Sequence, residues 1–71
     1  MTQVDARGCL CPQPLMMMAR QMKAPGCDAF EILVDNATAR ENVCRTAESR
    51  GWRVDSVAET NGDWRIVLSR K

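Results

Sequence analysis

The sequence predicts an α+β fold: a two-layer α/β sandwich with the order βαβαββ, in which two helices pack on one face of a four-stranded mixed sheet. Three observations carry this. Two segments repeat apolar residues at three- and four-residue intervals, the spacing of one helix face, and strand-like runs lie before, between and after them. The last two runs are joined by Asn61-Gly62, the dipeptide that most favours a tight hairpin. The chain has 71 residues and no repeat, linker or low-complexity stretch, so it reads as a single domain, 1–71. At that size only about 60% of the unfolded surface is buried, and one layer of helices on one sheet is the core it supports.

Each element follows from its residues. "QVDA", 3–6, is a short strand candidate that "RG" breaks. From Pro12 to about Lys23, Leu15, Met18, Ala19 and Met22 mark one helical face, and "APGC" at 24–27 ends the helix with a proline and a glycine. "AFEILVD", 29–35, alternates, with Phe30, Ile32 and Val34 on a single face. In "NATARENVCRTAESRG", Asn36 can cap a second helix, and Thr38 with Glu41 offers an alternative capping box. Ala39, Val43 and Ala47 form its apolar stripe, and Gly51 ends it. The two final strands flank Asn61-Gly62, and Trp64, Ile66 and Leu68 share a face. Strands one and two, linked through a helix, should run parallel, whereas the hairpin adds an antiparallel pair.

Composition excludes several classes of function. Apolar residues at 45% and charged residues at 27% describe a folded globular chain, and ten basic against nine acidic residues leave a net charge of +1. With no basic patch and three aromatic residues, Phe30, Trp52 and Trp64, direct binding of nucleic acid is not expected. The first residues are polar, and no apolar run approaches the ~18 residues that cross a bilayer, so the protein reads as cytoplasmic, with no membrane partner. In that compartment the four cysteines, Cys9, Cys11, Cys27 and Cys44, point to thiol or metal chemistry rather than a disulfide framework. There is no histidine, and only Cys9 and Cys11 are closely spaced, so neither a metal nor another cofactor is expected.

The chemistry concentrates in "RGCLCPQPLMMM", 7–18. Proline lacks a backbone N–H and is welcome in the first helical turn, so Pro12 and Pro14 place Cys11 at or beside a helix N-cap. There the free amides and the positive end of the helix dipole favour a thiolate, to which the charge of Arg7 adds. The alternative is a cysteine packed as a small apolar residue. Met16 and Met17 lie off the apolar stripe, with Met17 at least expected to face outward, and exposed methionines beside a working thiol form an adaptable docking surface. Cys44, at the edge of its helix's apolar arc, reads as packing. Cys27, in the turn after the first helix, is expected at the surface with no activating neighbour.

"DARGCLCPQPLM", 5–16, resembles the signature of the TusA/SirA-like sulfur carrier family, an Asp-x-Arg-Gly followed by Cys-Pro-x-Pro and an apolar helix, and "VDNATARENVCRTAESRGW", 34–52, resembles its YedF-like branch. The resemblance implies the βαβαββ sandwich and a persulfide on Cys11, with Asp5, Arg7, Gly8, Pro12 and Pro14 as the supporting motif. It implies as partners a sulfur donor, a cysteine desulfurase or a rhodanese, and an acceptor sulfur-relay protein. The product would be a thiolated tRNA, a cofactor or, as associated with some YedF-like members, a selenium compound. A carboxylate beside Cys11 would raise its pKa, so Asp5 is expected to anchor the loop through backbone amides instead. One position departs from the pattern: Cys9 stands where the family has an aliphatic residue. It is read as packing into the core in place of leucine, the alternative being a resolving thiol that attacks a Cys11 persulfide and leaves a strained Cys9–Cys11 disulfide. A sulfur carrier is the leading function; a binding or regulatory module of the same fold and a Cys9/Cys11 thiol-disulfide redox protein are the alternatives.

Overall fold

The computed structural model describes residues 2–10 and 13–71. Its elements are β1 (Thr2–Asp5), α1 (Gln13–Met22), β2 (Ala29–Val34), α2 (Ala37–Ser49), β3 (Trp52–Thr60) and β4 (Asp63–Arg70), the predicted order. The sheet order is β1-β2-β4-β3, with β1 parallel to β2 and both β2 and β3 antiparallel to β4. The last strand therefore inserts between β2 and its own hairpin partner, and β1 and β3 are the edges. The expected helix start at Pro12 and the N-cap position of Cys11 lie outside the described residues.

Alternation decides what each strand buries. Phe30, Ile32 and Val34 of β2 stand opposite Leu68, Ile66 and Trp64 of β4, and the first two of these pairs are sealed completely from solvent. Met18 and Met22 of α1 and Ala39, Val43 and Ala47 of α2 close over this face. Trp52 meets Phe30 edge to face at 5.3 Å between ring centres, an arrangement worth about 1 kcal/mol beyond area burial. The opposite face carries Gln3, Glu31 and Arg65, where Gln3 Nε2 donates to Glu31 Oε2 at 3.0 Å. A bulge at Asp55 resets β3, so that Val54 and Val57, three residues apart, pair with Leu68 and Ile66.

The ends of the elements follow their residues. Asn36 is the N-cap of α2, its Oδ1 accepting from Ala39 N at 2.7 Å, which decides between the two candidate caps. The Asn61-Gly62 turn has φ of 53° and 86°, the left-handed pair that a type I′ hairpin requires. Arg70 Nη2, from the last residue of β4, donates to the carbonyl of Met22, the last residue of α1, at 3.1 Å and to that of Cys27 in the following loop at 3.0 Å.

The orientation of α1 corrects the helical wheel. Pro14, Met18 and Met22 are its buried residues, whereas Leu15 and Ala19 are half-buried. Counting Pro14 in the stripe turns the buried axis by roughly 50°, half of a residue's step around the helix. Met16 then faces outward, 60% exposed, and Met17 moves to a flank from which its flexible side chain reaches the core. Among the described residues no helix is long and apolar enough to cross a membrane.

Phe30→Ala removes the largest fully buried side chain at the centre of this packing and is expected to cost about 3–5 kcal/mol, much of the stability such a chain has. Val57→Ala, at a position 40% exposed, should change stability by about 0.5 kcal/mol or less. Urea unfolding followed by far-UV circular dichroism separates the two. Equal effects would mean that Phe30 is not at the centre of the core.

Candidate functional site

The segment leading to Cys11 leaves the sheet at Asp5 and enters α1 at Gln13. It is fastened at almost every residue. Ala6, only 1% exposed, donates its N–H to Leu33 O at 2.9 Å and so continues the β1–β2 pairing one residue past the strand. Cys9 N donates to Ala6 O at 3.3 Å across a tight turn, in which Gly8 takes φ of 77°, a value that side chains disfavour. Gln13 N donates to Leu10 O at 2.8 Å.

Side chains hold this turn from three strands. Asp5 grips Arg7 with both oxygens: Arg7 Nε and the Arg7 backbone N–H donate to Oδ1 at 3.0 and 3.1 Å, and Arg7 Nη2 donates to Oδ2 at 2.9 Å. Arg7 Nη1 donates to Asp63 Oδ2 at 3.2 Å, reaching the first residue of β4. Asp35, just past β2, accepts from Gly8 N at 2.7 Å and from Asn36 Nδ2 at 3.1 Å.

The electrostatics follow from these bonds. Asp5 is drawn from an ordinary 3.8 down to about 2, first by the Arg7 side-chain hydrogen bond and next by the Arg7 backbone amide. Arg7 is pushed above its ordinary value, chiefly by Asp5 and then by Asp63, and stays charged throughout. The Gly8 amide, more than any other group, holds Asp35 below the usual carboxylate range. The anchoring role expected for Asp5 is thus met through one backbone amide and, more extensively, through the guanidinium. The Arg7 guanidinium is shared between the carboxylates of Asp5 and Asp63; its expected contribution to the Cys11 thiolate falls on a residue outside the described ones.

Residues 2–70 match the family described as "Sulfurtransferase TusA". The chain belongs to the TusA family. Two curated relatives, candidate sulfur carrier proteins of Archaeoglobus fulgidus and Methanocaldococcus jannaschii, are each 30% identical over 71 residues, covering 99% of this chain and 97% and 95% of theirs. A crystal structure of a SirA-like protein from Desulfitobacterium hafniense superposes with a TM-score of 0.82 at 26% identity, covering 97% of this chain and 96% of that one. The two-layer α+β sandwich is therefore the fold of a TusA-family, SirA-like protein, and the family ties the chain to sulfur relay.

In this TusA-family chain the candidate residues sort as follows. Asp5, Arg7 and Gly8 come together in the turn, and Pro14 lies on the buried face of α1. Cys11 and Pro12, the thiol candidate and the first proline of the motif, lie outside the described residues. Cys9 is a half-buried free thiol and is not part of the core cluster, in which Ala6 is the buried residue of the turn. Leu10 is 84% exposed, so with Met16 it supplies the outward apolar surface expected of Met16 and Met17. Cys27 is half-buried against the core instead of at the surface; Gln21 Nε2 donates to its sulfur at 3.3 Å, and its thiol points to Ala29 O at 3.8 Å. Cys44 packs as expected, and burial is the largest influence pushing its thiol up, opposed by Arg40 and reinforced by Glu48. Sequence reasoning missed Asp35 and Asp63. The Asp-Asn pair before α2 was a signal for the first, but nothing near Asp63 in the chain points to Arg7.

Because the carboxyl of Asp5 is depressed in the folded chain, its contribution is complete above the unfolded value near 4 and is lost as pH falls through about 2. Carboxyl-carbon NMR should find Asp5 titrating near pH 2, with the Arg7 amide shift following the same midpoint. An Asp5 midpoint at 3.8 or higher would mean that the Arg7 fork does not persist in solution.

Proposed function

We propose that the protein carries sulfane sulfur as a persulfide on Cys11 and relays it from a donor protein to an acceptor. The observation that supports this most is the fastened turn Ala6–Leu10: hydrogen bonds tie its backbone to β2, and side chains tie it to β1, β2 and β4, immediately before the Cys-Pro-x-Pro run. A carrier cysteine that must meet two different partners benefits from such a rigid approach, since positioning of the reacting groups lowers the barrier for each transfer.

The chemistry is two exchanges of one kind. The Cys11 thiolate attacks the outer sulfur of a donor persulfide, R–S–SH. The donor S–S bond breaks, its electron pair leaves on the donor thiolate, and Cys11 becomes Cys11–S–SH. An acceptor thiolate then attacks the outer sulfur in the same way, taking it as R′–S–SH and returning Cys11 as thiolate. Sulfur moves between thiols with no net oxidation, so neither a metal nor a redox cofactor is called for. A cysteine desulfurase or a rhodanese has the chemistry of the donor, and exchange between free thiols suits the reducing setting of the cytoplasm.

Intact-protein mass after incubation with a cysteine desulfurase and cysteine, or with a rhodanese and thiosulfate, tests this reading. The wild type should gain the mass of one sulfur atom, removable by reductant, and Cys11→Ser should gain none. Cys9→Ser, Cys27→Ser and Cys44→Ser should load like the wild type. Loading that persists in Cys11→Ser, or no loading of the wild type with either donor, would overturn the proposal.

A further inference from the structure

The three carboxylates around the β1–α1 turn do different jobs. Asp5 lies two residues from Arg7, so their fork travels with the turn itself. Asp35 stands at the exit of β2, next to the strand that β1 already pairs with, and fixes the Gly8 amide. Asp63 comes from the β3–β4 hairpin, 56 residues away along the chain. In the sheet order β2 separates β1 from β4, so the Arg7–Asp63 bond passes over the end of a whole strand. It ties a side chain of the turn directly to the hairpin.

We propose that Asp63 is a positioning residue for sulfur transfer: it holds the outer arm of the Arg7 guanidinium and so fixes the Arg7–Gly8–Cys9 turn that leads into Cys11. This rests on Cys11 being the sulfur-bearing residue. The Arg7 and Asp63 side chains are 45% and 41% exposed, and exposed pairs contribute little to global stability. What such a pair does is restrict motion. A turn built on a glycine in the left-handed region has conformational freedom that its backbone bonds alone leave unfixed. The guanidinium suits this role because it is planar and forked: Nε and Nη2 grip Asp5 while Nη1 remains for Asp63, and an ammonium offers no such pair of edges.

The test compares wild type, Asp63→Ala, Asp63→Asn, Arg7→Lys and the Asp63→Ala/Arg7→Lys double variant. It reads the initial rate of sulfur uptake from a rhodanese persulfide, hydrogen exchange at the Gly8 and Cys9 amides, and the melting temperature. Asp63→Ala should melt within a few degrees of wild type and load to the same final stoichiometry, but about three- to tenfold more slowly, with faster exchange at Gly8 and Cys9. Asp63→Asn, which restores a neutral acceptor, should recover part of the rate. In the Arg7→Lys background, Asp63→Ala should add nothing further. An unchanged rate and unchanged exchange in Asp63→Ala, or effects that multiply in the double variant, would overturn the proposal. If the wild type takes up no sulfur, the carrier reading falls by itself, and exchange at Gly8 and Cys9, which needs no sulfur, still decides whether Asp63 holds the turn.

Discussion

The packing of β2 and β4 beneath two helices is the interaction on which the rest of the molecule depends. Phe30, Ile32, Ile66 and Leu68 are sealed from solvent in adjacent, centrally placed strands, and Met18, Val43 and Ala47 close over them from the helices. A chain this small has apolar surface for one such layer. The other face of the sheet is consequently left to Gln3, Glu31 and Arg65, which interact with one another rather than with a core. The single-sided core also fixes where β1 ends, since Ala6 must bury itself at the edge of that layer before the chain can turn toward α1.

Charge enters the structure where the core stops. At one end Arg7 gathers Asp5 and Asp63; at the other Arg70 lies 4.7 Å over the Trp52 ring and donates to the last carbonyls of the α1 region. Both arginines use a planar fork to tie segments far apart in sequence, and both leave part of the guanidinium in solvent. Neither arrangement buries a charge, so neither carries a large desolvation penalty. What both do is tie together segments that meet only in the folded chain.

The thiols divide along the same boundary. Cys44 and Cys27 lie against the core, and burial raises the first. Cys9 sits in the pinned turn, half-buried, two residues before the cysteine of the Cys-Pro-x-Pro run. Burial and local structure therefore separate the described cysteines that a bare count treats as equals.

By itself the sequence determined the element order, the apolar faces of β2, β4 and α2, and the Asn61-Gly62 hairpin, and it narrowed the cap of α2 to two candidates. Each of these depends on residues within about a turn or a strand of one another, and local periodicity or backbone preference expresses it directly. The motif from Asp5 to Pro14 was legible for the same reason. Tertiary structure alone decided the strand order that inserts β4 between β2 and β3, the rotation of α1 that exchanges Met16 for Met17, and the half-burial of Cys9 and Cys27. It alone brought Asp35 and Asp63 to the turn. Those features arise where segments far apart in the chain meet, and an exposed carboxylate reads the same in sequence whether or not a distant arginine comes to rest against it.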